Sequence, residues 1–188
     1  DMSTEIPLAQ EELAALTADA ARFGVEGSEN IREFTEATAM MATATNLNTD
    51  EAGESLAKLA ELTNTPISEI ENLGSSINSL SNNAATSSQE IVDAMLRSSG
   101  ALTQLGAEQT EIAGLSTALN EVSESSQRAG TRLRRLAQEM MDPKKVGDLS
   151  AALGMTTEEF KNMREEDPVG LMREMAVTMK EGEEEADI

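Results

Sequence analysis

Apolar residues recur along this chain at three- and four-residue steps, and strand-like alternation is nearly absent. Leu13, Leu16, Ala20 and Phe23 form one stripe, and Ile31, Phe34, Ala37 and Met41 the next. Ala52, Leu56, Leu59 and Leu62 follow, then Ile67, Ile70, Leu73, Ile77 and Leu80. Ile91, Met95, Leu102 and Leu105 continue with a polar gap at Ser98. Ile112, Leu115, Leu119 and Val122 precede Ala129, Leu133, Leu136 and Met140. Each stripe is one face of an amphipathic helix. The pattern predicts an all-α, multi-helix globular domain of eight to ten short amphipathic helices joined by tight Gly/Asn/Pro turns.

The breaks carry stop and start chemistry. Phe23-Gly24-Val25, Leu105-Gly106-Ala107 and Leu153-Gly154-Met155 each place Gly between two apolar residues, the signature of a left-handed helix end. Ser87 to Glu90 and Thr156 to Glu159 have capping-box spacing. Pro7, Pro66 and Pro168 stand where a first helical residue is expected. Asp142-Pro143-Lys144-Lys145 is the best internal boundary. It divides a helical core, 1–141, from a helical extension, 142–188, with the Met172, Met175 and Met179 stripe and an acidic tail. Met2 stands second, behind Asp1, and the chain reads as a piece of something longer.

One tract tests this reading. From Asn72 to Gln89 the chain is rich in Ser, Asn and Thr and carries no charge. A linker would not keep the spacing of Ile77 and Leu80. The tract is therefore expected to be one helix ending at Ser81-Asn82-Asn83, a short connection, and a second helix capped by Ser87. Ile77 and Leu80 should be buried, and the lack of charge suggests that the tract lies against other protein.

Composition narrows the chemistry. The 188 residues contain no Cys, His, Trp or Tyr, and Phe23, Phe34 and Phe160 are the only aromatics. The core must come from Leu, Ile, Val, Ala and the 11 methionines. Without Cys there is no disulfide, thiolate nucleophile or thiolate metal site. Without His the commonest general base and metal ligand is missing. The pairs Glu11/Glu12, Glu158/Glu159 and Glu165/Glu166 fall on wet helix faces or at helix N-termini, where a negative charge is favourable. Asn46 to Glu51 lacks the central Gly of a calcium loop and reads as a helix start. No catalytic, cofactor or metal residues are expected, and no run approaches the ~20 apolar residues of a membrane span.

Charge adds one local feature. Thirty-five acidic residues face 14 basic ones, a net charge of -21. Such a surface disfavours DNA, whose binding depends on phosphate neutralisation. The sign reverses only between Arg128 and Lys145. There Arg128, Arg132, Arg134, Arg135, Lys144 and Lys145 form a candidate interaction patch, with Arg128, Arg132 and Arg135 on one helix face. The simpler expectation is pairing with acidic helices of the same domain. The other is docking of an acidic partner.

The blocks INSLSNN, EIVDAMLRSSG, LGAEQTEIAGLSTAL and AGTRLRRL, in this order, resemble the core region of phage tail tape measure proteins. The resemblance runs from Phe23 to Leu136. It departs at SESSQRAGT, where the family usually has a Gly and a Ser-Pro-Glu start. It implies a structural, non-enzymatic segment of a virus or prophage tail protein, lying in the tail tube lumen and setting tail length. The implied partners are other copies of itself, the tail tube protein, tail assembly chaperones and tail-tip proteins, with assembly in the host cytoplasm. The rival reading is an acidic cytoplasmic all-α interaction module unrelated to virions.

Overall fold

The computed structural model describes residues 10–45, 47–175 and 178. They form helices throughout, and among the described residues there is no strand. The α-helices are α1 (Gln10–Arg22), α2 (Ser28–Ala44), α3 (Thr49–Thr63), α4 (Ile70–Asn83), α5 (Ser88–Gln104), α6 (Gln109–Glu121), α7 (Ser126–Met141), α8 (Pro143–Ala152) and α9 (Thr157–Glu166). A short 3₁₀ turn, Ile67–Glu69, leads into α4, and 168–175 is helical again. The all-α architecture is as the hydrophobic period predicts.

The helix ends follow their local sequence. Ser87 and Glu90 form a capping box at α5, as Thr156 and Glu159 do at α9. Gly24, Gly106 and Gly154 all have positive φ. In each case the residue after the Gly donates its N–H five residues back, as Val25 does to the Ala20 carbonyl at 3.0 Å. Asn64 makes a fourth such turn at φ 53, with Thr65 donating to the Ala60 carbonyl. Pro66 precedes the 3₁₀ turn in extended backbone rather than opening a helix, a correction to the expected first-turn role. Pro168 does begin a helical run. Pro7 and Met179 lie outside the described residues.

α5 is the axis of the fold. It packs on α3, α4 and α6 and most extensively on α7. Its buried residues include Ile91, Val92, Met95 and Leu102, but also Ser88, Ser98 and Ser99. The gap at Ser98 is therefore a core position. Its hydroxyl donates to the Ala94 carbonyl at 2.9 Å, which satisfies it inside its own helix. Thr35 and Thr117 use the same device, donating to Ile31 and Ala113. This is how the core accommodates these three hydroxyl residues.

The uncharged tract is ordered as two helices and a turn. Ile77 is fully buried at 0% exposure, whereas Leu80 is only half-buried. Ser75, Ser79, Asn82 and Asn83 face outward, so only one side of the tract lies against protein. Two stripe assignments also change. Phe23 is 36% exposed and Val122 76% exposed. Both stand one residue past a helix end, where the chain has left the period that aims side chains inward. Beyond Asp142, Val146, Phe160, Leu171 and Met175 are buried in the same apolar cluster as Leu56 and Ile91.

Candidate interaction surface

α7 begins where Ser125 accepts a hydrogen bond from the Arg128 N–H at 3.3 Å. Ala129, Gly130, Leu133, Ala137 and Met140 bury one side of the helix. That leaves Arg128, Arg132, Arg134 and Arg135 in solvent. α8 starts at once, because Asp142 closes α7 and caps α8 by accepting the Lys144 N–H at 2.9 Å. Lys144 and Lys145 thus lie in the first turn of α8, both exposed.

The cations divide into two groups. Arg128 pairs with Glu124 and Arg135 with Glu139, the latter through Nε at 2.8 Å. Both partners stand four residues away, so the pairing is local and does not reach another helix. The hydrogen bond that Arg135 donates to Glu139, reinforced by the carboxylate's charge, holds the Arg135 guanidinium above its ordinary pKa. Such exposed pairs contribute little to stability. Among the described residues Arg132 reaches only the Ser123 hydroxyl, at 3.5 Å. Among the described residues no carboxylate lies within ion-pair distance of Arg132, Arg134, Lys144 or Lys145.

The carboxylate pairs sit where expected, exposed at or near helix ends. Glu159 has a capping role, since the Thr156 N–H donates to it at 2.8 Å and lowers its pKa. Glu90 is lowered in the same way, first by the Ser87 N–H and then by the Ser87 hydroxyl. Among the described residues no group of three metal-ligating side chains comes together. A groove of about 490 Å³ between α4 and α6 is lined by Glu69, Asn72, Ser75, Ser79 and Gln109 among others. No Lys or Arg lines it.

The phage-related minor tail protein family model matches residues 1–187. The chain belongs to this family. No match is found among curated proteins or among solved structures. The tail protein is thus a structural component of a phage tail, and its partners are other tail components. Among its described residues no helix is long and apolar enough to cross a membrane. The acidic helices and the α7–α8 cations are therefore surfaces of a tail component.

Proposed function

We propose that this chain is a segment of a tail tape measure protein. It occupies the tail tube lumen before genome ejection, sets tail length and catalyses no reaction. The observation that carries the reading is the family match over residues 1–187, joined to the tape-measure-like blocks between Phe23 and Leu136. The surface agrees with it. At -21 the chain repels a passing genome, and six of its 14 cations fall within one short segment, 128–145. Sequestered in a DNA conduit, such a protein neither binds nor retards nucleic acid.

The test is tail length. Residues 10–141 are deleted in frame from the parent gene, and tails are measured by electron microscopy. A chain held as extended helix shortens the tail by ~1.5 Å per deleted residue. Intact tails of unchanged length would overturn the reading.

A further inference from the structure

The chain beyond Asp142 is held thinly along most of its length and firmly at its end. α8 buries only Val146 and Ser150 of its 10 residues, and α9 buries only Phe160 of its 10. By contrast α5 buries eight of 17 residues and α7 six of 16. α8 packs mainly on α7 and α9, and α9 mainly on α8. The grip returns in 168–175, where Pro168, Val169, Leu171, Met172 and Met175 are buried. Leu171 and Phe160 are both at 0% exposure and belong to the apolar cluster of the main bundle.

Polar ties across this boundary are few. Among the described residues, one hydrogen bond joins 143–175 to an earlier helix, from Arg164 Nη1 to the Met140 carbonyl at 3.1 Å. Among the same residues no ion pair crosses over. Asp142 is a one-residue joint, extended at φ -75 and ψ 115. Pro143 has no N–H, so it cannot carry the hydrogen-bond ladder of α7 onward. The seat of the last helix is also incompletely filled. A trough of about 470 Å³ between α6 and 168–175 is lined by Gly114, Leu115, Ala118, Val169 and Arg173 among others. Nothing lies within 4 Å of a Cβ added at Gly114. Side chains along the trough lack neighbours on one side and gain less on docking.

Segments with few buried apolar side chains and few ties to the rest open at lower free energy than the core. We infer that residues 143–175 form a strap that swings away from α1–α7 as a unit about Asp142, with 168–175 as its catch. Once the catch leaves its seat, Val146, Phe160 and the Arg164 bond are all that hold α8 and α9. Opening uncovers Phe160, Leu171, Met172 and Met175 together with the part of the bundle core that they cover. The closed strap thus masks an apolar surface within an otherwise acidic chain.

The test is hydrogen exchange of the full 188-residue chain, read by mass spectrometry across a denaturant series where exchange follows the opening equilibrium. The slowest amides of α8, α9 and 168–175 are expected to exchange together. Without denaturant they should be ~10-fold or more faster than those of α5 and α7. Their denaturant dependence should be shallower, because the open strap exposes less surface than the unfolded domain. Ile77, in α4, stays buried while the strap is open. Ile77→Ala should therefore speed exchange in α5 and α7 ~30-fold or more and leave the strap unchanged. Leu171→Ala loosens the catch and should speed strap and core alike, since both openings release Leu171. A wild-type strap that matches α5 and α7 in rate and denaturant dependence overturns the proposal. So does a strap that Ile77→Ala speeds as much as the core, or one that Leu171→Ala leaves unchanged. These readouts use no phage tails, so they stand apart from the tail-length experiment.

Discussion

Gly130 of α7 lies directly against the backbone of Ala94 on α5. A Cβ added at Gly130 would stand 2.6 Å from the Ala94 carbonyl oxygen, 3.0 Å from its Cα and 2.8 Å from the Arg97 Cβ. Backbone cannot rotate away as a side-chain tip can, so α5 and α7 meet this closely only because position 130 has no side chain. Gly130→Ala gains ~1 kcal/mol in helix propensity and loses more by forcing the helices apart, for a net cost of ~1–3 kcal/mol. Gly114 in α6 is the control, since nothing lies within 4 Å of its added Cβ. Gly114→Ala should stabilise by up to ~1 kcal/mol. Thermal midpoints of the two variants should move in opposite directions.

Ile77 anchors the uncharged tract to the core at 0% exposure. Ile77→Ala should cost ~2–4 kcal/mol in chemical denaturation, as a large-to-small core change. Leu80→Ala should cost less, because Leu80 is half-buried. Limited proteolysis should spare the segment between Ser75 and Ser88. Early cleavage there would mean that the two helix ends and their turn do not hold.

Ser98 and Ser99 are adjacent and both buried, yet they differ in hydrogen bonding. Ser98 donates to Ala94, whereas the Ser99 hydroxyl has no partner among the described residues, as is also true of Thr38, Thr103 and Ser116. A buried unsatisfied hydroxyl costs ~1–3 kcal/mol. Ser99→Ala and Ser116→Ala should therefore leave stability unchanged or raise it by ~1 kcal/mol. A loss beyond ~1 kcal/mol in either variant would show that the hydroxyl is satisfied.

The capping box at α5 gives a pH signature. Hydrogen bonds from Ser87 hold Glu90 below its ordinary pKa. A depressed folded value means that the stabilisation is complete above the unfolded pKa of ~4.3 and is lost as pH falls through the folded value. Glu90→Gln keeps an acceptor but does not titrate. Wild type should exceed this variant slightly in midpoint at neutral pH, and the gap should close on acidification below ~4.3. A gap that persists in strong acid would assign the difference to shape rather than charge.

Much of this fold is legible along the chain, because helix ends are written locally. Ser87, Thr156, Gly24, Gly106 and Gly154 each fix a boundary through groups within five residues. Part of what lay hidden depends on neighbours distant in sequence, and part on local geometry. Gly130 looks like any helical glycine until Ala94 is placed beside it. Ser98 looks like a wet position until its own helix supplies the acceptor. Phe23 and Val122 keep the period in number but stand past the ends of α1 and α6, where the period no longer aims a side chain. Asn64 was open to reading, since Asn tolerates left-handed backbone, but no Gly drew attention to it. For the candidate surface, the sequence shows the six cations as one cluster. Only the geometry separates the two that are paired, Arg128 and Arg135, from the four that are not.

Most helices pack on partners one or two places along the chain: α1 on α2, α2 on α3, α5 on α6 and α7, α7 on α8, α8 on α9. Loop closures in such a wiring are short, and folding speed rises as contacts become more local. Helical proteins of this kind fold in microseconds to milliseconds. A chain wired in this way, once unravelled, would wind itself up again on that timescale through one short loop closure after another.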